Sequence, residues 1–252
     1  MRIHATFEIS RGSSLHINYQ HFLTALVYNL LSKSAPNFTQ KLHGPGFWNH
    51  QDRPFKLFCF SPLRGGPGTT RVEGESLIFE TERLTWQFDS PVPVVTTMMA
   101  DALTSSSNLR VGQLELRPRE VKSIPLPDFS EGEARFVCLS PIVASVFHPE
   151  LRHLYLDPQD ERFWEVAAVN LSRKWRAYHG TPEPSPIRLV PDADYLAAKR
   201  TSKLIRYRSD VVRCHLVPFK AQADAELLAF GYQCGFGSRN SQGFGMVAVP
   251  RG

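Results

Sequence analysis

The first half of the chain shows a regular order of strand-like and helix-like apolar patterns. Residues 2–9 alternate, with Ile3, Ala5 and Phe7 on one face, as in a half-buried strand. Apolar residues at helical spacing predict an amphipathic helix from Ile17 to about Lys33. Similar patterns predict the other elements of this half: a strand at 55–60, a Pro- and Gly-rich loop at 62–74, a helix at 91–105 and a strand at 111–121. The segment 77–88 is predicted as one strand or as a hairpin around residues 80–83. Strand, helix, strand, strand, helix, strand is the order of a ferredoxin-like domain.

The second half repeats this order less clearly. Asp157 and Pro158 suit the N-cap and first position of a long helix that Gly180 ends. The other predicted elements are a strand at 134–139, a hairpin of 143–147 with 153–156, strands around Ile187, at 203–208 and at 211–219, and a short helix at 224–230. Prolines punctuate a linker that runs to about Gly132, so we expect domains at 1–122 and 132–252.

A glycine-rich stretch follows the last predicted helix. Gly235, Gly237, Gly243 and Gly245 enclose residues 238–242, whose only charge is Arg239. Because glycine tolerates positive φ and close approach of the backbone, the spacing suggests amide groups exposed towards an anion such as phosphate. A dinucleotide-binding turn or a P-loop would open a helix, whereas a short strand-like run follows here. A hairpin that only turns the chain is the alternative.

Charge makes nucleic acid the leading partner. The net charge is +5, and residues 173–220 hold eleven Lys or Arg against four Asp or Glu, as expected for a polyanion-binding segment. Arg173, Lys174 and Arg176 either complement a helix dipole or contact RNA.

No apolar run approaches the roughly 18 residues that span a bilayer, and no signal peptide is evident, so we expect a cytoplasmic protein without membrane contact. The four cysteines form no Cys-x-x-Cys pair, which argues against a disulfide or zinc framework.

The glycine spacing, Gly-h-Gly-x5-Gly-h-Gly with a basic residue in the x5 segment, resembles the C-terminal signature of CRISPR-associated endoribonucleases of the RAMP superfamily. Four further blocks resemble that family in the same order: 22–29, 42–45, 56–61 and 139–142. The resemblance spans essentially the whole chain. It implies an α+β fold of two tandem ferredoxin-like (RRM-like) βαββαβ domains.

The resemblance also implies an activity. The protein would bind the CRISPR repeat in precursor CRISPR RNA and cut it without a metal or cofactor, by attack of a 2′-hydroxyl. The products would be guide RNA units with 2′,3′-cyclic phosphate and 5′-hydroxyl ends. A non-catalytic RNA-binding subunit of a CRISPR effector complex is the alternative, and a homodimer is left open.

Two residues match the family's catalytic positions, and a third residue is a candidate for the remaining one. His43 corresponds to the catalytic histidine, a residue type suited to proton transfer near neutral pH. Tyr28 corresponds to the helix tyrosine, with an ordinary surface tyrosine as the alternative. The sequence departs from the pattern at the lysine, because Gly46 stands where a close lysine is found in relatives. Lys56 fits that role if the intervening loop is longer, and otherwise is a solvated lysine at the start of a strand.

The predicted RNA contacts combine the glycine-rich stretch with the basic segment. Phe236 and Phe244 are expected to anchor the stretch in the core rather than stack on bases. No metal site is predicted, because the pairs His43 and His50, and His148 and His153, lack the usual ligand spacing. The predicted RNA-binding residues are Gly235, Gly237, Ser238, Arg239, Asn240, Gly243, Gly245, Lys199, Arg200, Lys203, Arg206, Arg208 and Arg213.

Overall fold

The computed structural model describes residues 1–34, 37, 40, 48–50 and 53–250. The elements of the first half are β1 (Arg2–Glu8), β2 (Ser13–His16), α1 (Gln20–Ser34), β3 (Trp48–His50), β4 (Arg53–Phe55), β5 (Cys59–Phe60), β6 (Thr70–Glu73), β7 (Ser76–Phe79), β8 (Arg83–Asp89), α2 (Pro93–Thr104), β9 (Leu109–Val111) and β10 (Leu114–Ile124). Those of the second half are β11 (Glu133–Cys138), β12 (Ser145–His148), β13 (Arg152–Tyr155), α3 (Glu161–His179), β14 (Arg188–Pro191), α4 (Ala193–Ala198), β15 (Ser202–Tyr207), β16 (Asp210–His215), β17 (Phe219–Gln222), α5 (Ala225–Cys234) and β18 (Val247–Ala248).

Both halves build the same kind of antiparallel sheet. The first has the strand order β5-β8-β1-β10-β9 and the second the order β14-β17-β11-β18. If the four principal strands of each half are numbered along the chain, both sheets read 2-3-1-4, with a helix after the first strand and another after the third. This is the ferredoxin-like arrangement. The prediction of an α+β fold with two tandem ferredoxin-like domains is confirmed.

The alternating pattern of β1 positions the first core. Ile3, Ala5 and Phe7 are buried, and α1 and α2 pack against each other in the same half. In the second half, α3 buries Phe163 and Leu171 in the core. Most strands of the sheets and the four principal helices therefore follow from the apolar patterns. The strand predicted at 55–60 is an exception, because only Cys59–Phe60 pairs into the first sheet.

One buried arginine joins the halves. Arg2, on β1, donates from Nε to Asp89 at 2.9 Å, and its other nitrogens donate to the carbonyl oxygens of Val247 and Tyr232 at 2.6 and 2.8 Å. Its guanidinium also lies 3.6 Å from the centre of the Tyr232 ring. Because Arg2 belongs to the first sheet and its carbonyl partners to the second half, it fixes one domain against the other.

Several local predictions were wrong. The segment 77–88 is neither one strand nor a hairpin, because β7 pairs with β2 and β6 whereas β8 pairs with β1 and β5. The loop predicted at 62–74 contains β6. The segment 211–219 is divided between β16 and β17, and α4 had no prediction.

The start of the long helix also differs from the prediction. Asp160, not Asp157, is the N-cap, and its carboxylate accepts from the N–H of Arg162. Asp157 instead closes the preceding turn, where it accepts from the N–H groups of Gln159 and Asp160. The predicted stop is confirmed, since Gly180 is the C-cap with a φ of 71°.

Candidate functional site

The four glycines of the glycine-rich loop, residues 235–245, all have positive φ and no room for a side chain. A Cβ at Gly245 would lie 1.9 Å from the carbonyl oxygen of Phe236, and one at Gly237 would lie 2.5 Å from that of Val143. A Cβ at Gly243 would lie 2.6 Å from the Phe60 ring. The glycines are thus needed for packing of the loop within the protein.

Most backbone N–H groups of the loop donate hydrogen bonds inside the protein. Fewer of them are therefore available to an anion than the sequence suggested. The N–H groups of Phe236, Ser238, Gly243 and Gly245 donate to backbone carbonyl oxygens. Within the part of the chain that the structure describes, the N–H groups of Arg239, Asn240 and Ser241 make no hydrogen bond. Among the described residues of the loop, the N–H groups of Gly237 and Phe244 also make no hydrogen bond, but residues 239–241 are the longest run of such donors. Arg239 holds a left-handed φ of 61° there. Phe236 and Phe244 are fully buried.

The side chain of Lys174 fixes the loop to α3 through hydrogen bonds. This lysine of α3 is buried, and its ammonium donates to the carbonyl oxygens of Gly235 at 2.8 Å and Gly237 at 3.1 Å and to Oδ1 of Asn240 at 2.6 Å. The Asn240 amide nitrogen donates in turn to the carbonyl oxygens of Phe236 and Phe244, each at 3.0 Å. Burial lowers the pKa of Lys174. The Asn240 side chain, predicted to contact RNA, is occupied by this internal network.

The sequence analysis assigned Lys174 to the helix dipole or to RNA contact and missed its buried role in holding the loop, although a signal was present. It continues the helical spacing of buried α3 residues that includes Ala167 and Leu171. A lysine at an apolar-face position of a helix indicates a buried ammonium with specific acceptors. The neighbouring Arg176 instead forms an exposed ion pair with Glu183 at 2.9 Å.

Helix α1 reaches the loop through two side chains. The hydroxyl of Tyr28 forms a hydrogen bond with the Ser241 side chain, and the Gln20 amide donates to the Gly243 carbonyl oxygen at 2.6 Å. Burial, with a smaller contribution from Tyr207, raises the pKa of Tyr28 to about 12 against the opposing effect of Ser241. Tyr28 is therefore a partly buried, neutral phenol that touches the loop, and not an ordinary surface tyrosine.

A cleft of about 310 Å³ lies between the halves beside this contact, and we call it the interdomain cleft. Lys56 lines it and is half-buried, and burial lowers its pKa. Arg239 lines it from the loop and forms an ion pair with Asp210 at 3.3 Å. The residues that line the cleft are Pro54, Phe55, Lys56, Leu57, Phe58, Asn170, Lys174, Cys234, Ser238, Arg239, Asn240 and Ser241.

The predicted basic residues lie on or beside the hairpin of β15 and β16. Lys199, Arg200, Lys203, Arg206, Arg208 and Arg213 are all exposed, and within the described ranges none forms an ion pair with a carboxylate. The hairpin adjoins the loop, because Asp210 begins β16 and Phe244 packs against Tyr207, Val212 and Cys214.

The predicted site residues are thus brought together in part. Tyr28 meets the loop at Ser241, and Lys56 shares the interdomain cleft with Arg239. The basic hairpin adjoins the same loop through Asp210. His43 lies outside the described residues.

Both halves of the chain match known protein families. Residues 14–122 match the family described as "CRISPR-associated protein Cas6, N-terminal", and residues 124–249 match "CRISPR associated protein Cas6, C-terminal". A protein from Methanocaldococcus jannaschii described as "CRISPR-associated endoribonuclease Cas6 1" is 30% identical over 98% of this chain and 92% of its own length. The chain belongs to the Cas6 family of CRISPR-associated proteins.

Solved structures of similar proteins cover the whole chain. One described as "CRISPR associated protein Cas6" superposes with a TM-score of 0.79 at 26% identity, over 100% of this chain and 99% of that one. Another, described as "An RAMP protein binding different RNA substrates", gives a TM-score of 0.80 at 21% identity over the full length of both chains. The predicted resemblance is confirmed, and the likeness to Cas6 structures extends through both domains.

Within the described residues, no helix is long and apolar enough to cross a bilayer.

Proposed function

We propose that this Cas6 protein is a metal-independent endoribonuclease that binds the CRISPR repeat in precursor CRISPR RNA and cuts it to give guide units. The observation that carries the proposal is the full-length similarity to the M. jannaschii protein, whose name describes a CRISPR-associated endoribonuclease. The contact between Tyr28 and the glycine-rich loop supports it, because it links the proposed catalytic helix to the proposed RNA-binding loop.

The proposed reaction uses a nucleophile that RNA itself provides. The 2′-hydroxyl of the nucleotide before the scissile phosphate attacks phosphorus, and the bond to the 5′-oxygen breaks. One group removes the 2′ proton and another donates a proton to the leaving oxygen, so that a 2′,3′-cyclic phosphate and a 5′-hydroxyl result. His43 is the proposed proton-transfer residue.

Tyr28 and Lys56 have supporting roles in this proposal. Tyr28, as a neutral phenol, donates a hydrogen bond to the reacting phosphate or 2′-hydroxyl. Lys56 stabilises the negative charge that develops on the phosphate oxygens. Arg239 and the free amides beside it bind the RNA backbone.

The alternative is a non-catalytic RNA-binding subunit of an effector complex. We consider it because a similar structure is described as a RAMP protein that binds different RNA substrates. Incubation of end-labelled repeat RNA with the protein in EDTA distinguishes the two. We expect a single cut within the repeat. Binding without any cut, in EDTA or with added Mg²⁺, would favour the alternative, and a cut that needs Mg²⁺ would overturn metal independence.

The assembly and location of the protein are proposals as well. A homodimer or a place in a CRISPR effector complex is consistent with the family, and the cytoplasm is the proposed location. Sedimentation of the purified protein with and without repeat RNA tests the homodimer directly.

A further inference from the structure

A second groove lies in the second half of the chain, between the first turns of α3 and strand β14. Its volume is about 670 Å³, and it shares no lining residue with the interdomain cleft. Residues 187–191 form one side of it. The other side is a single face of α3, made of Glu161, Trp164, Glu165, Ala168 and Val169. We call this site the β14 groove.

β14 presents its edge to this groove and not one of its faces. The side chains of a strand alternate between two faces, yet all of residues 187–191 line the same groove. Only the edge of a strand exposes consecutive residues in this way. β14 is also an outermost strand of the second sheet, since its only partner among the described strands is β17.

The backbone groups at this edge are unpaired. The N–H of Asp192 donates at 2.9 Å to the carbonyl oxygen of Pro218, which precedes β17, so Asp192 faces β17 and Val190, two residues earlier, does too. The N–H and carbonyl of Leu189 therefore face away from β17, and neither makes a hydrogen bond within the described residues. Pro191 has no N–H but adds an outward carbonyl oxygen. Another strand can pair with these groups.

The two sides of the groove match in length. From Glu161 to Val169, α3 rises about 12 Å, at about 1.5 Å per residue. Residues 187–191 extend for about 13 Å, at about 3.3 Å per residue. The groove therefore accommodates about four to five residues of extended chain. Addition of a strand to an exposed sheet edge is a common mode of peptide binding, as in PDZ domains.

The charges beside the groove disfavour RNA as its occupant. Glu161 and Glu165 are exposed neighbours on α3, and neither forms an ion pair within the described residues. Arg188 also borders the groove, but it lies on the opposite face of β14 from Leu189, which belongs to the core that α3 covers. Two adjacent unpaired carboxylates repel phosphate and attract Lys or Arg. The occupant that suits them is a basic segment of a protein.

The rest of the α3 side is apolar, with Trp164, Ala168 and Val169, and the Val169 side chain is 47% exposed. We propose that the β14 groove binds an extended segment of a partner protein, which adds a strand to the edge of the second sheet. Apolar side chains of that segment pack on α3, and a Lys or Arg lies opposite Glu161 and Glu165. The surface is separate from the proposed RNA site, so one molecule can engage both partners.

Because the partner is unidentified, the probe is a phage-displayed library of random decapeptides, selected on the immobilised full-length protein. Selected peptides are synthesised, and their affinity is measured for the wild type and for Glu161→Lys/Glu165→Lys. The matched control is Glu131→Lys/Glu150→Lys. These two glutamates are exposed, lie in the same half and outside the groove, and form no ion pair within the described residues.

The enriched peptides should have apolar residues at alternate positions and at least one Lys or Arg. The groove variant should bind them about fivefold more weakly or worse, because repulsion replaces attraction at two exposed ion pairs, and the control should stay within about twofold of the wild type. Both variants should cleave repeat RNA alike, which checks that they are folded. No enrichment, or equal losses of peptide affinity for the two variants, would overturn the proposal.

N-methylation of a selected peptide tests strand addition without any change to the protein. Every second N–H of an added strand faces β14, so methylation at alternate positions should weaken binding by about tenfold or more, and methylation between them should have little effect. Losses that do not alternate would overturn strand addition. Sedimentation of the protein alone tests a different occupant: a dimer that the groove variant dissociates would place a second copy of this chain in the groove and overturn the assignment to a different protein.

Discussion

Tyr28 shows how the environment of a single residue restricts its chemistry. Its phenol stays protonated across the neutral range, because burial raises its pKa to about 12. It can therefore donate a hydrogen bond to RNA but cannot serve as a phenolate base near pH 7. The sequence left an ordinary surface tyrosine as the alternative, and only the structure shows that Tyr28 is partly buried and contacts the glycine-rich loop.

We expect Tyr28→Phe to lower the single-turnover cleavage rate by roughly two- to tenfold, the value of one hydrogen bond. The inflections of the pH–rate profile between pH 5 and 9 should keep their positions, because the phenol does not titrate there. Tyr195→Phe, in α4 and outside the interdomain cleft, is the matched control. Disappearance of an alkaline inflection in Tyr28→Phe alone would mean that the phenol is the titrating base.

His43 is the second residue-scale prediction. Proton transfer by a positioned side chain contributes about 10²- to 10⁴-fold to a rate and little to ground-state binding. His43→Ala should therefore lose cleavage by that factor while its affinity for repeat RNA changes by no more than a few-fold. The control is His153→Ala on β13, an exposed position. A wild-type rate for His43→Ala would remove this histidine from the mechanism.

At the scale of elements, the central feature is the attachment of the glycine-rich loop to α3. Lys174→Met keeps a long side chain but leaves three buried oxygens without their donor. Unpaired buried acceptors cost about 1–3 kcal/mol each, so we expect the free energy of unfolding to decrease by about 3 kcal/mol or more. Denaturant unfolding measures this change.

Arg176→Met on the same helix is the control, since its ion pair with Glu183 is exposed and worth about 1 kcal/mol or less. Lys174→Met should also cleave more slowly, because the loop that contacts Tyr28 loses its support. Equal stability of the two variants would show that the buried ammonium does not hold the loop.

The elements also show what a single sequence can predict. The two sheets and the principal helices followed from apolar periodicity, because burial of one face dictates that pattern. The insertions β6 and α4 did not, since few or none of their side chains are buried and the pattern is then weak. The loop was located correctly by its glycines, but the reason for them differs. They allow tight internal contacts, and about half of the loop amides, among them those from Arg239 to Ser241, make no hydrogen bond within the described residues.

The relation between distant residues could not be read from the sequence. Arg2 and Lys174 are buried cations whose partners lie far along the chain. The partners of these buried cations depend on how the two domains pack against each other. A local sequence pattern does not predict that packing. The domain limits at 1–122 and 132–252 remain a prediction.

At the scale of the whole molecule, the exposed cations on the hairpin of β15 and β16 should set the salt dependence of RNA binding. Each phosphate neutralised on single-stranded RNA contributes about 0.7 to the slope of log K against log salt. Arg206→Ala should therefore weaken binding and flatten the slope by about that amount. Arg110→Ala, an exposed arginine of the other domain, should leave the slope unchanged.

Arg239 allows a sharper version of the same experiment, because it is paired with Asp210. Arg239→Ala should weaken binding, and Asp210→Asn should strengthen it by removing the competing carboxylate. No effect of either change would mean that the loop does not contact the RNA backbone.

The central claim is that the RNA supplies its own nucleophile for the cut, and a single deoxyribose tests it most directly. Repeat RNA that lacks only the 2′-hydroxyl of the nucleotide preceding the scissile phosphate is incubated with the protein in EDTA. We predict affinity within a few-fold of that for all-ribose RNA and no cleavage, while the all-ribose RNA is cut to a 2′,3′-cyclic phosphate and a 5′-hydroxyl. Cleavage of the deoxy-substituted RNA at the same bond would show that water is the attacking group and would contradict the account.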